Sequence, residues 1–228
     1  MGELGELGAT VDFEGAFVPA RTELAGRQVS LRPLDPRHHA APLFEAAHGE
    51  PADPRLWSYM GYGPFADVAA FEAWLWRQAT VLDPVFYAVV PAGAAPAGLA
   101  SYLRLAPADG TIEIGHLLFT PRLQRTVAAS EAIYLLLAYA FDRLGYRRVE
   151  WKCDALNARS RHAAERFGFT FEGVFRQAMV VKGRNRDTAW FAMVDGDWAR
   201  HRAAFEAWLA PANRDEAGRQ RRPLAELR

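Results

Sequence analysis

The sequence predicts an α+β fold, with one domain running from residue 29 to residue 209. Two observations carry this. Short runs of β-branched and aromatic residues, several alternating apolar with polar and bounded by Gly, Pro or Asp, mark strands. Between them lie stretches whose apolar residues recur at helical spacing, several of them ending on glycine. Strands and helices are mixed along the chain, and no internal repeat is present.

The elements follow in order. Residues 1–28 form an irregular N-terminal leader, broken by Gly2, Gly5, Gly8, Gly15 and Pro19. Val29 to Leu34 alternates and predicts a first strand. A helix is expected over His38 to His48, stopped by Gly49 and Pro51, and then an aromatic, turn-rich segment (Trp57, Tyr59, Tyr62, Phe65). The next helix begins near Asp67, with Val68, Phe71, Leu75 and Leu82 on one stripe. Three strands are predicted at Val85–Val90, Gly98–Leu105 and Thr111–Phe119, the last two joined through Asp109-Gly110, a strong hairpin signal. A long helix, Val127 to Leu144, is apolar on nearly all sides, which predicts one sandwiched between other elements. Arg148–Asp154 alternates, with Val149, Trp151 and Cys153 facing inward. Asn157 and Gly168 read as the N-cap and C-cap of a helix ending at Phe167. Two strands, Phe169–Val181 and Thr188–Val194, are expected around a loop containing Gly183-Arg184-Asn185-Arg186. A last helix, Asp197–Leu209, precedes a charged tail over 210–228; its Trp198, Phe205 and Trp208 either close the core or form a homodimer surface.

Composition narrows the function classes. Of 228 residues, 50% are hydrophobic, enough for a full core. Cationic and anionic side chains number 27 each, so no global field draws in nucleic acid or an anionic membrane. The arginines of the tail are interspersed with Asp215, Glu216 and Glu226, which argues further against a nucleic-acid partner. A single cysteine, Cys153, excludes a disulfide framework or thiolate zinc site within the chain and points to a reducing, cytoplasmic location. His38, His39, His48, His162 and His201 have no ligand spacing and are expected at the surface. No metal is expected, no run is long enough to span a membrane, and Met1–Gly8 lacks the features of a signal peptide.

The element order and three motifs carry a resemblance. The motifs are Ile114-Gly115-His116-Leu117-Leu118, Gln124 to Ala132, and Asn157…Ser160…Phe167-Gly168-Phe169…Glu172-Gly173. Together they resemble the GNAT acyltransferase superfamily, and within it the ribosomal-protein-alanine N-acetyltransferase branch, which is bacterial. The resemblance covers residues 29–195. It implies a three-layer α/β/α fold around a central, mostly antiparallel mixed sheet of about seven strands, and acetyl-CoA as co-substrate.

The resemblance also implies roles. Leu117, Leu118 and Phe119 would lend backbone groups to the pantetheine arm; their side chains read equally as core. Gln124, Arg125, Thr126, Val127, Ala128, Ala129 and Ser130 occupy the family's phosphate loop before the long helix, where a helix N-terminus offers free N–H groups and a favourable dipole. Val127 stands where the family has its first glycine and Ala129 where it has the second. Asn157, Ser160 and Phe167 belong to the matched block. Asn157 would contact the arm as well as cap its helix, and Ser160 is a candidate acid for the departing thiolate, or simply a capping residue.

Acetyl transfer to an amine needs a neutral amine, a polarised carbonyl and a destination for a proton. The related enzymes carry a carboxylate where this sequence has Met179. Either the base has moved, with Glu113 the leading substitute and His116 the next, or a water chain relays the proton, or catalysis is mainly positioning. Glu113 and Glu150 also read as solvent-facing strand residues and His116 as a core histidine. The acceptor is expected to be a small molecule, an amino-acid derivative or a protein N-terminus. Trp57, Tyr59 and Tyr62 are candidates for its aromatic wall, and Arg176 and Arg186 for recognition of an anionic group on it. The alternative is a non-catalytic acyl-CoA-binding sensor or interaction domain on the same fold.

Overall fold

A computed structural model describes residues 7–50 and 53–228. The first six residues of the leader and Pro51 lie outside the described residues. Eight strands form one sheet: β1 Leu24–Ala25, β2 Val29–Pro33, β3 Val85–Pro91, β4 Gly98–Ala106, β5 Thr111–Phe119, β6 Arg148–Asp154, β7 Thr170–Val181 and β8 Arg184–Val194. Their order is β1-β2-β3-β4-β5-β6-β8-β7, antiparallel throughout except for the β5–β6 pair.

Five helices cover the sheet: α1 Pro36–His48, α2 Val68–Thr80, α3 Val127–Ala138, α4 Ala158–Phe167 and α5 Asp195–Leu209. One core lies under α3, α4 and α5 and includes Ile112, Ile133, Leu136, Val149, Trp151 and Phe191. The other lies under α1 and α2 and includes Leu43, Phe71, Leu75, Phe86, Leu99 and Leu118. α3 is indeed sandwiched: its Tyr134 ring lies 5.6 Å from Phe205 of α5, while Ile133 and Leu136 are fully buried. Beyond Ala138 the expected long helix continues as one π turn, Tyr139–Arg143, before Gly145 at φ +75° ends it. Trp198, Phe205 and Trp208 are all at most 5% exposed, so they close the core of this chain.

The boundaries moved where local chemistry outweighed the apolar pattern. α1 starts at Pro36, two residues early, because Asp35 caps it by accepting from the Arg37 amide at 3.1 Å and Pro36 takes the first position, which has no donor to waste. The hairpin turn is Lys182-Gly183, not a longer polar loop, and Arg184-Asn185-Arg186 lie in β8. Both turn residues have positive φ (+50° and +73°), the signature of a tight turn whose twist matches that of the strands. Two histidines expected at the surface are buried: His39 accepts from the Asp35 amide at 3.1 Å, and His201 packs in α5. His48 is half-buried and accepts from the Phe65 amide. The tail folds back, with Leu224 2% exposed and Gln220 accepting from the Trp208 indole at 2.8 Å.

Candidate active site

β5 and β6 pair only over Thr111–Glu113 and Arg148–Glu150. Beyond that rung the strands separate, and residues 114–119 have no ladder partner on the β6 side. The ladder to β4 also slips, from Ser101↔Gly115 to Leu99↔Leu118, with His116 at φ +50° as the bulged residue. A wedge-shaped gap therefore opens in mid-sheet. Leu118 is buried, while Leu117 and Phe119 are half-buried and pack on the core with their side chains, leaving backbone toward the gap.

The loop after β5 and the start of α3 stand at one end of this gap. Gln124 donates to the Phe119 carbonyl at 2.7 Å, and Arg125 takes a positive φ of +62°. Thr126 caps α3, its hydroxyl accepting from the Ala129 amide at 3.1 Å and donating to the Leu123 carbonyl. Among the described residues the Val127 and Ala128 amides acquire no acceptor, as expected for a first helical turn. Val127 turns its side chain toward Leu209 and the core, and Ala128 and Ala129 are buried. Ser130 is buried and accepts from Arg166 at 3.1 Å, a bond that ties α3 to α4.

α4 begins on the other bank. Asn157 accepts the Ser160 amide at 3.1 Å, and Ser160 Oγ accepts from the Trp151 indole at 2.9 Å and lies beside the Cys153 thiol. The Phe167 ring lies between Trp151 and Phe205, in the core. Burial pushes the Cys153 thiol up, so it stays protonated and unreactive.

On the opposite face, at the point where β5 and β6 part, lies a cluster of charges that sequence reasoning did not assemble. Glu113 and Glu150 are 5% and 7% exposed, so neither faces solvent. Lys152 Nζ stands 2.6 Å from Glu150 Oε2, 3.1 Å from Glu113 Oε2 and 3.7 Å from the centre of the Trp190 ring. Arg148 bonds Glu150 at 2.9 Å and Glu172 at 2.5 Å, and Arg104 lies 3.4 Å from Glu113. Burial raises the Glu113 carboxyl above its usual range, against the opposing pull of Lys152 and Arg104. His116 is held down to about 4, chiefly by burial, with Arg104 and Arg186 adding repulsion. It is therefore neutral near pH 7. The period-2 alternation that sent Glu150 and Lys152 away from Trp151 was the available signal; it could not say that their face is covered as well.

Further along the same face lies the α1–α2 loop, whose Tyr62 approaches His116. Tyr59 donates to the Leu156 carbonyl at 3.2 Å, and Lys182 at the hairpin tip donates to the Trp57 carbonyl at 2.9 Å. The loop thus bridges the β6–α4 connection and the β7–β8 hairpin. Trp57 is 2% exposed and belongs to the core. Tyr62 stacks on Trp74 at 4.2 Å and lies 5.6 Å from His116. Arg186 reaches the same neighbourhood, whereas Arg176 does not. Arg176 lies with Gln177, Asn185 and Asp187 around a separate cavity of about 560 Å³. Asp187 has the opposite alternation to Arg186 along β8, placing that cavity on the other face of the hairpin. Among the described residues no three His, Cys, Asp or Glu side chains gather as a metal site, and no helix is long and apolar enough to cross a membrane.

Comparison with known proteins follows the same lines. Residues 28–170 match the family model described as acetyltransferase (GNAT) domain. A GCN5-related N-acetyltransferase from Brucella melitensis is 46% identical, with a TM-score of 0.92 over 95% of this chain and 98% of that one. A probable GNAT-family acetyltransferase from Chromobacterium violaceum is 44% identical, with a TM-score of 0.79 over 87% of this chain and 99% of that one. A putative ribosomal N-acetyltransferase from Bacillus subtilis is 33% identical over 63 residues, which span 28% of this chain and 34% of that protein.

Proposed function

The chain belongs to the GNAT acetyltransferase family, and from that membership we propose that it is an acetyl-CoA-dependent N-acetyltransferase acting on a primary amine. The observation that carries the proposal is the gap between β5 and β6, open from Ile114 to Phe119, with the first turn of α3 at one end and Asn157 and Ser160 on the far bank. The unpaired backbone of β5 suits an extended arm rich in amides, and the free amides of Val127 and Ala128, with Arg125 beside them, suit its phosphates.

The amine acceptor enters from the face beneath the α1–α2 loop. Its nitrogen forms the bond to the acetyl carbon while the carbon–sulfur bond breaks, in one ternary complex. Glu113 takes the proton lost by the amine, through water if the two are not in contact, because burial raises its carboxyl toward neutrality. His116, held near 4, is a weaker base and serves to shape the acceptor site with Tyr62. Ser160 donates to the departing thiolate. The lone, buried Cys153 suits a reducing, cytoplasmic setting.

Calorimetric titration with acetyl-CoA, paired with thiol release over a broad panel of primary amines, tests this reading. Wild-type protein is expected to bind and turn over. Glu113→Gln is expected to bind equally and lose about 100-fold in kcat. In the wild type kcat/KM should rise with pH through a limb lying above the ordinary carboxylate range, because Glu113 must be ionised to accept a proton. Absence of binding overturns the proposal; binding with no turnover leaves the non-catalytic acyl-CoA-binding alternative.

A further inference from the structure

Arg186, Thr188 and Trp190 alternate along β8, so their side chains share one face. It is the face opposite Ala189, Phe191 and Met193, which lie in the core under α3, α4 and α5. Across the ladder, Thr188 pairs with Asp154 and Trp190 with Lys152. These residues therefore stand beside the Glu113–Lys152–Glu150 cluster, in the half of the sheet that α1 and α2 leave to the α1–α2 loop.

Five polar atoms in this region are buried without a hydrogen-bond partner: Glu113 Oε2, which has Lys152 Nζ as its ion pair at 3.1 Å, and Tyr62 Oη, Arg186 Nε, Thr188 Oγ1 and Trp190 Nε1. The last four can donate a hydrogen bond, and two of them can only donate. Buried polar groups are rarely left unpaired in a folded protein unless something else fills the role. The charges are equally one-sided. Lys152 is matched by Glu113 and Glu150, Arg148 by Glu150 and Glu172, and Arg104 by Glu113. Arg186 forms no ion pair among the described residues, although it lies close enough to His116 to act on it. Among the described residues Arg186 is thus a cation without an anionic partner, on the same face as Thr188 and Trp190.

We propose that the acceptor carries a single carboxylate beside its primary amine, that Arg186 is the counter-ion of that carboxylate, and that Tyr62, Thr188 and Trp190 complete its recognition. The substrate class is the free amino acid with an apolar or aromatic body, which the half-buried Tyr62 can flank. A peptide N-terminus lacks the α-carboxylate, and a polyamine would place further positive charge beside Arg186. The proposal deepens the N-acetyltransferase reading and rests on it for the amine, while the carboxylate can be read by binding alone.

The test uses matched pairs, phenylalanine against phenylalaninamide and methionine against methioninamide, with spermidine as the cationic control. Thiol release at saturating acetyl-CoA is measured for wild type, Arg186→Gln and Arg186→Lys, after each variant is checked for an unchanged melting temperature. In the wild type the acid-to-amide ratio of kcat/KM should exceed tenfold, about 1.4 kcal/mol. It should collapse toward one in Arg186→Gln, mainly through KM, and be partly kept in Arg186→Lys, which preserves the charge but not the planar fork. Amides or spermidine matching the acids in the wild type, or a ratio untouched by Arg186→Gln, overturns the proposal. Where acetyl-CoA binds but no amine turns over, the enzymatic reading fails, and calorimetry of the same pairs on CoA-saturated protein decides the carboxylate separately. Tighter acid binding that is lost in Arg186→Gln supports it, and equal or absent binding of acid and amide sinks it.

Discussion

Replacing Lys152 by methionine removes the one cation that Glu113 and Glu150 share. The Lys152 side chain is 5% exposed, as are 6% of Glu113 and 10% of Glu150, so solvent does little to screen what is left behind. Breaking a buried ion pair by deleting one partner costs about 3–5 kcal/mol, because the remaining charge is stranded. Here Arg148 still holds Glu150 at 2.9 Å and Arg104 still stands 3.4 Å from Glu113, which puts the expected loss at the low end, about 3 kcal/mol. For a chain of this length that is a fall in Tm on the order of 10 °C. The pH dependence gives the cause away. Glu113 already titrates above its unfolded value of 4.5, so the folded state binds the extra proton. Stability from this group is therefore present below the unfolded pKa and is lost as pH rises through the folded one. Without Lys152 the folded value climbs further, and the deficit should be larger at pH 8 than at pH 5. Circular-dichroism melts of wild type, Lys152→Met and the double variant Lys152→Met/Glu113→Gln at both pH values measure it, and the double variant should recover part of the loss at pH 8. A deficit below about 1 kcal/mol, or one of the same size at both pH values, would refute the view of the cluster as a desolvated charge network.

Two further outcomes concern the frame around the site. Gly168→Ala should destabilise by about 2 kcal/mol or more, since the residue sits at φ +97° and a Cβ there would lie 2.6 Å from the buried His201 ring; denaturant midpoints check this, and a neutral substitution would mean that α4 ends differently in solution. Leu224→Ala should cost about 2 kcal/mol, because a 2% exposed leucine of the tail fills the core beside α5. A change below about 0.5 kcal/mol would mean the tail is not seated as described.

Much of the frame was legible because it rests on local chemistry. Asn157 caps α4 and Gly168 ends it in the left-handed conformation as their residue types dictate, and the clean alternation of Val149, Trp151 and Cys153 sends all three into the core. The misreadings also have local causes. Arg184-Asn185-Arg186 look like loop because polar residues are poor strand formers, yet a two-residue turn ahead of them carries them into β8. Of the candidate site residues, the structure brings Glu113, His116, Tyr62 and Arg186 to one side of the sheet, seats Trp57 and Phe167 in the core, and leaves Arg176 on the far face of the hairpin.

What the sequence determined by itself is the order of the elements from β2 to α5, the caps of α4 and the inward stripe of β6, set by backbone donors, φ preferences and the periods of strand and helix. It did not show β1 in the leader, the Asp35 cap, or that Leu82 lies beyond α2 and exposed. Only the tertiary structure decided that the polar stripe of β6 is buried. A strand's alternation fixes which residues share a face, not what lies above that face. Arg104 of β4, Arg148 paired with Glu172 of β7, and the Trp190 ring of β8 close over it. That long-range cover turns Glu113, Lys152 and Glu150 from surface charges into a desolvated network.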